Sequence, residues 1–177
     1  MNKLVKPFRT YETSMLGAIN ITIRQIMGDE LAAYDPGERF RTLREFWRPT
    51  NSAIDDSSAA RLLVIRVTFT NTAPGDVELP LDNSGNKAEL LSLRIVEPTG
   101  HLLMPHRNID IRLKHRPVKE PRLIPAGGSF SMDLIGELVD EWLIFPGAKY
   151  QLAPPGAYRM FFEYENVRSN ELVLEVV

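Results

Sequence analysis

The three histidines of this 177-residue sequence lie close together, in the stretch HLLMPHRNIDIRLKH. Met104 stands between the first two of them, His101 and His106. Imidazole and thioether groups are ligands that suit Cu(I), so these three residues are the candidate metal ligands of a copper carrier. The histidine spacings match no established metal motif. The alternative is that the histidines lie on loops and that the nearby Met132 belongs to the core.

The same stretch is rich in basic residues. Arg112, Lys114 and Arg116 alternate in IDIRLKHR, so a strand would place them on one face, where they would attract an acidic partner or a phosphate. Such a row is equally typical of a solvated edge strand protected against aggregation. Aromatic side chains for base stacking are absent from this stretch, and the net charge of the chain is -2. We therefore expect no nucleic-acid partner.

No arrangement typical of an enzyme is present in the sequence. The chain has no cysteine, which excludes disulfides, thiolate metal sites and cysteine nucleophiles. The serines form no nucleophile-elbow motif, and no phosphate-binding glycine loop precedes a helical pattern. Neighbouring acids such as Asp55 and Asp56 fit a surface better than a general acid and base. We expect a non-enzymatic protein without a cofactor.

A run of large apolar residues, Trp142, Leu143, Ile144 and Phe145, is the second candidate site. A half-buried strand or helix cannot hide all four on one face, so part of the run is expected at the surface, in a patch that binds a protein. The alternative is a buried plug at one end of the fold. Together with the basic row, the predicted partner-binding residues are Arg112, Lys114, Arg116 and Trp142–Phe145.

The elements that carry these residues are predicted to be strands, because apolar and polar residues alternate with a period of two. The pattern is clearest in INITIR and LVIRVTFTN, and it recurs in ELLSLRIVE, SFSMDL and ELVLEV. Alternation of this kind is typical of strands with one buried face in antiparallel sheets. Turn residues separate the runs. The sequence therefore predicts two packed sheets or a barrel.

Two stretches depart from this period. DPGERFRTLREFW begins with a capping-box arrangement at Asp35 and has apolar residues at helical spacing, which predicts a short helix over residues 36–47 and a polar linker to residue 60. In LIGELVDEWLIF the apolar residues fit one face of a second helical turn before Trp142. The residues on that face are Ile135, Leu138, Val139 and Trp142.

The end of the chain resembles a known segment. Gly156, Tyr158 and Met160 in PPGAYRMFFEY resemble the Gly-x-Tyr-x-Cys segment of immunoglobulin-like sandwiches, with methionine in place of the cysteine. The resemblance implies that the Tyr158 hydroxyl binds the loop that precedes its strand. A hairpin loop over 166–170 and a last strand over 172–177 are expected to follow.

The resemblance extends over residues 61–177. The segments VTFTNTAPGDVELPL, LRIVEPTGHLL, LIPAGGSFSMDL and PPGAYRMFFEY follow one another as in bacterial immunoglobulin-like modules, loosely like the intracellular proteinase inhibitor family and small exported antigen-like domains. These motifs consist of turns and packing residues, so they imply a fold more than an activity.

Composition sets the remaining bounds. Hydrophobic residues make up 44% and charged residues 25%, as in an ordinary globular domain, and no apolar run is long enough to span a membrane. We expect one domain over 1–177, with a helical insertion and linker at 36–60 and the main sandwich at 61–177. The amino terminus has no apolar signal region, so the protein would be cytoplasmic if Met1 is native and periplasmic or extracellular if a signal was removed.

Taken together, these patterns predict an all-β, immunoglobulin-like antiparallel β-sandwich with a short helical insertion. The predicted function is a non-enzymatic protein-interaction module, with an inhibitor-like version implied by the resemblance. The two alternatives are a copper-binding carrier that uses His101, Met104 and His106, and a structural or chaperone-like accessory subunit that binds through Trp142–Phe145.

Overall fold

The computed structural model describes residues 17–35, 61–82, 93–106, 119–139, 141–145, 148–164 and 166–177. These residues form eleven strands and one short helix. The elements are β1 (Ile19–Ile26), α1 (Gly28–Ala32), β2 (Arg61–Asn71), β3 (Val77–Asp82), β4 (Leu93–Val96), β5 (Lys119–Ile124), β6 (Ser129–Val139), β7 (Trp142–Phe145), β8 (Ala148–Gln151), β9 (Gly156–Tyr164), β10 (Val167–Arg168) and β11 (Leu172–Val176).

The strands form an all-β sandwich in which every pairing is antiparallel. The first sheet has the order β1-β2-β6-β7-β8. In the second sheet β9 pairs with β4, β10 and β11, and a separate ribbon pairs β3 with β5. One hydrophobic core joins all three, since Phe69 and Leu143, Tyr158 and Phe162, and Ile124 of the ribbon belong to a single buried cluster. The prediction of an all-β antiparallel sandwich is confirmed.

The alternation predicted from the sequence is present in the strands. Ile19, Ile21 and Ile23 of β1 are buried while the residues between them are exposed. In β2, Ile65 and Phe69 are fully buried and belong to the same core. The inward-facing residues of these strands therefore form the core, as the period of two requires.

The helical turn predicted before Trp142 is wrong. Residues of LIGELVDEWLIF form the end of β6 and all of β7, which pair as a hairpin. The reason lies on the outer face of the first sheet, where Ile135 is opposite Val64, and Val64 is opposite Ile26. Val64 and Ile26 are fully buried although they face away from the main core. A strand that packs apolar residues on both faces loses its alternation, and the remaining apolar spacing then resembles a helix.

The helix predicted over 36–47 and the linker to residue 60 lie outside the described residues. The helix that the structure describes, α1, was not predicted. It has five residues, starts after Met27 without a side-chain cap, and is too short to cross a membrane.

The end of the chain contains the hydrogen bond that the resemblance implied. The hydroxyl of the fully buried Tyr158 donates to the carbonyl of Pro154 at 2.8 Å. The hairpin loop predicted over 166–170 is shorter than expected, because the chain already reverses around Asn166, which has a φ of 69°. Val167 then pairs with Tyr164, so part of the expected loop is the strand β10.

A β-bulge separates β10 from β11. Arg168 is opposite Glu163 and Leu172 is opposite Met160, so three residues of one strand face two of the other. At the bulge the Ser169 N–H donates to the carbonyl of Phe162, and the Ser169 hydroxyl accepts from the Phe162 N–H, both at 2.9 Å. The serine side chain thus restores the pairing that the extra residue interrupts.

The two sheets are joined at both flanks of the sandwich. On one flank the side-chain amide of Asn170 in the bulge accepts from the Ile23 N–H at 2.7 Å and donates to the Ile23 carbonyl at 2.9 Å. On the other flank, residues 101–106 pair with β4 through Leu102 opposite Val96 and with β8 through His106 opposite Lys149. This second connection, the 101–106 segment, brings a predicted metal ligand next to the hairpin that contains Trp142.

Candidate interaction surface

The β7–β8 hairpin divides the run of four apolar residues between two faces. Leu143 and Phe145 are fully buried in the core, whereas Trp142 and Ile144 lie on the outer face and are partly exposed. Leu143 and Phe145 have no surface to offer a partner, so these two predicted contact residues are corrected to core residues. Trp142 and Ile144 remain candidates for contact with a partner.

Lys149 and His106 lie against the indole ring of Trp142. Lys149 is opposite Ile144, and so it is the diagonal neighbour of Trp142 across the hairpin. The Lys149 ammonium stands 5.0 Å from the centre of the indole ring, a cation–π distance. The His106 ring meets the same indole edge-on, with the ring centres 5.4 Å apart.

The 101–106 segment supplies the rest of the surface. Leu103 packs against the core, while Leu102 and Met104 on either side of it are 45% and 70% exposed and His106 is exposed as well. Alternate residues of an extended chain point to opposite sides, so Leu102, Met104 and His106 face outward. The surface formed by Leu102, Met104, His106, Trp142 and Lys149 is called the Trp142 surface below.

The other predicted site residues have different places. His101 is exposed directly after the turn at residues 98–100, and its carbonyl accepts from the Glu97 N–H at 2.8 Å. Arg112, Lys114 and Arg116 lie outside the described residues. Within the described ranges, the His, Asp and Glu residues form no group of three or more that could hold a metal ion.

The charges around Trp142 are unequal. Gln151 is opposite Trp142, and its side-chain amide donates to the Glu141 carboxylate at 2.7 Å. The Lys149 ammonium, in contrast, has no carboxylate within 4.0 Å among the described residues. The two charges thus differ in their surroundings: the Glu141 carboxylate keeps its charge beside a neutral donor, whereas the Lys149 ammonium lies over the indole ring.

A second cluster of charges lies on the same outer face and holds α1 against the sheet. Arg66 donates to both carboxylate oxygens of Asp133, its opposite residue in β6, at 2.8 and 2.9 Å. Glu30 of α1 accepts from Arg66 at 3.1 Å and from both terminal nitrogens of Arg24 at 2.7 and 2.8 Å. The Tyr34 hydroxyl donates to Asp133 at 3.1 Å. We call these five residues the α1 clamp.

Three groups of the α1 clamp have pKa values that are moved away from neutral pH. The hydrogen bond from Arg24 lowers the pKa of Glu30, and the bond to Asp133 raises the pKa of Arg66. Burial, followed by the negative charge of Asp133, raises the pKa of Tyr34 to about 12. Each group therefore keeps one charge state near neutrality, which suits a structural contact better than proton transfer.

Two residues of the Trp142 surface, Leu102 and Lys149, were not singled out from the sequence. For Lys149 the sequence contains a signal, because Pro146 and Gly147 in FPGAK are typical of a two-residue hairpin turn. In a hairpin with Phe145 opposite Ala148, Lys149 is the diagonal neighbour of Trp142. For Leu102 no such signal exists, since its place depends on pairing with β4.

Comparison with known proteins gives no name to this fold. No family model and no curated protein matches the chain. Five solved chains match, among them the "X-ray structure of Northeast Structural Genomics Consortium target SoR45". That structure is 12% identical, covers 90% of this chain and 88% of its own, and has a TM-score of 0.36. The likeness has no bearing on function.

Proposed function

We propose that this protein is a non-enzymatic protein-interaction module that binds its partner through the Trp142 surface. The observation that carries the proposal is the exposure of Met104, two residues before the His106 ring that contacts the half-buried indole of Trp142. Tryptophan and methionine are enriched at protein interfaces, where a large apolar side chain beside a polar rim supplies most of the binding energy. An accessory-subunit role would use the same surface.

The strand order and one hydrogen bond support the immunoglobulin-like interpretation of the fold. In this interpretation the order β1-β2-β6 in one sheet and β4-β9-β11 in the other would match strands A-B-E and C-F-G of that fold. The hydrogen bond from Tyr158 to Pro154 would match the tyrosine corner at the start of strand F. An inhibitor-like version of the proposal predicts inhibition of a protease, and a panel of proteases left fully active would remove that version.

The proposal is tested by quantitative co-purification from the source cells with matched variants. Met104→Glu places a charge on the Trp142 surface, and Val173→Glu places one on an equally open position of the second sheet, where the valine is 57% exposed. We expect a protein retained by the wild type and by Val173→Glu to be lost by Met104→Glu and by Trp142→Asp. Equal retention of all captured proteins by Met104→Glu and wild type would refute the proposal.

A second candidate function is copper carriage. It is favoured by the exposure of both Met104 and His106, which are two residues apart. A soft thioether and an imidazole suit Cu(I). Titration with Cu(I) against a competing chelator should then show one saturable site that is weakened by Met104→Leu. Absence of saturable binding would eliminate this candidate.

A further inference from the structure

We infer that the Trp142 surface takes a partner segment in which an apolar side chain stands next to a carboxylate. The inference rests on the proposed function and adds the chemical class of the partner. It is argued from the exposure of the apolar groups and from the charge that the described fold leaves on Lys149.

The 101–106 segment supplies the exposed apolar side chains of this surface. Leu102 and Met104 are two of the large hydrophobic side chains that remain exposed in the described structure, and Met104 is the more exposed. Methionine is unbranched and polarisable, so it adapts to apolar partners of different shape. An aliphatic or aromatic side chain of the partner would cover Met104 and the open part of the Trp142 ring.

Lys149 supplies the charge of this surface and differs from most described cations in its partners. Five arginines have a carboxylate within 4.0 Å: Arg24, Arg66, Arg94, Arg159 and Arg168. Lys149 has none among the described residues, and the contact described for its ammonium is with the indole ring of Trp142. Its ammonium therefore keeps most of its capacity to bind an acid. A carboxylate beside the partner's apolar group would complement this charge, whereas a basic segment would be repelled.

The probe for this inference is a phage-displayed library of random peptides, selected on the immobilised full chain. We expect enriched sequences in which Asp or Glu adjoins a large apolar residue. For a synthetic peptide of that consensus, Lys149→Glu should weaken binding about tenfold or more, and added salt should weaken binding to the wild type. Lys149→Met should have an intermediate effect.

Arg122→Glu is the matched control. Arg122 is also an exposed cation placed over an aromatic ring, at 5.7 Å from the centre of Phe130, and it also has no carboxylate within 4.0 Å in the described structure. Its reversal changes the net charge by the same amount at a different site. We expect unchanged peptide affinity for this variant, and an equal loss in both variants would overturn the inference because it would indicate a general charge effect.

The outcomes separate the inference from the proposed function. Binding that depends on Trp142 but shows no acidic consensus and survives Lys149→Glu would overturn the inference alone. Binding that survives both Trp142→Ala and Met104→Glu, or no enrichment on the wild type, would overturn both. Near-ultraviolet circular dichroism and thermal unfolding of each variant distinguish these results from loss of the fold.

Discussion

At the scale of single residues, the side-chain amide of Asn71 replaces backbone pairing where β2 ends. Asn71 is 1% exposed, and its amide nitrogen lies 2.8, 2.9 and 3.1 Å from the carbonyls of Gly75, Ile124 and Pro125. Its oxygen accepts from the Ala73 N–H at 2.8 Å. Buried polar groups need such partners, so this one amide fixes the end of β2 to the end of the β3–β5 ribbon.

A half-buried polar group, the phenol of Tyr34, leads to a prediction about pH. Its pKa is raised from 10.0 to about 12, first by burial and then by Asp133, so the neutral phenol is favoured in the folded protein. The stabilisation is present below the unfolded value of 10.0 and is lost as the pH rises through about 12. The absorbance of ionised tyrosine near 295 nm, taken as wild type minus Tyr34→Phe, should therefore titrate near 12.

This difference titration has its own control within the α1 clamp. Asp133→Asn removes the negative charge but keeps a hydrogen-bond acceptor, so we expect the Tyr34 transition to move toward the ordinary value while burial still holds it above 10.0. A wild-type transition at the ordinary pKa of tyrosine would show that Tyr34 does not contact Asp133 in solution.

At the scale of elements, β6 and β7 pack closely because β6 has a glycine on its inner face. A β-carbon added to Gly136 would lie 2.6 Å from two ring carbons of Phe145 and 2.8 Å from the Ile144 carbonyl. The ring is fully buried and cannot move aside. We expect Gly136→Ala to lower the free energy of unfolding by about 1–3 kcal/mol, measured by urea denaturation.

A smaller side chain in place of Phe145 should relieve this strain. In Gly136→Ala with Phe145→Leu, the total loss should be smaller than the sum of the two single losses, because the added methyl group then fills space that the leucine leaves. Gly75→Ala is the matched control, since a β-carbon there meets nothing within 4 Å. Additive losses, or a Gly136→Ala protein as stable as the control, would contradict the packing described.

The connection between the two sheets through Asn170 gives a second prediction for an element. The backbone N–H of Ile23 points away from β2 and is bonded to the Asn170 side chain. Asn170→Ala should therefore speed hydrogen exchange of the Ile23 amide by about fivefold, the effect of losing about 1 kcal/mol of local hydrogen bonding. The amides of Thr22 and Arg24, which alternate toward β2, should change much less.

Asn20→Ala is the control for this experiment, because Asn20 is an exposed asparagine on the same strand. Its exchange pattern should match that of the wild type. Unchanged protection of Ile23 in Asn170→Ala would show that another group holds the edge of β1.

The success and the failure of sequence-based prediction have one physical cause at this scale. β1 and β2 carry one buried face over most of their length, so the alternation of Ile19, Ile21 and Ile23 identifies the first of them. The end of β6 packs on both faces, with Ile135 beside the buried Val64 on the outer side, and no period of two remains to be detected. Burial on the second face depends on contacts between distant segments, which a local pattern does not contain.

The sequence likewise predicts one part of the candidate site and not the other. The sequence indicates an aromatic site at Trp142, because four apolar residues in a row cannot share one face. It does not indicate that His106 and Trp142 are neighbours, since this depends on the pairing of the 101–106 segment with β8. The separate hypotheses of a metal site and a partner-binding site thus concern one surface.

At the scale of the whole molecule, the two sheets behave as one structure because their edges are joined and their core is shared. Asn170 joins β1 to the bulge of the second sheet, and the 101–106 segment joins β4 to β8. Between these two connections, inward-facing residues of both sheets form a single buried cluster. Neither sheet could lose its partner without exposing that cluster to water.

This shared core predicts that both sheets unfold together, and two methionines provide matched probes. Met132 of β6 packs against the core from the first sheet, and Met160 of β9 is buried in it from the second. Their ¹³C-labelled methyl signals, followed by NMR during urea denaturation, should disappear with one midpoint that coincides with the loss of strand signal in far-ultraviolet circular dichroism. Conservative replacement by leucine, Met132→Leu or Met160→Leu, assigns each signal. Two separate midpoints would mean that the sheets unfold independently. The Trp142 surface, which includes the segment that connects the two sheets, would then form only when both sheets are folded.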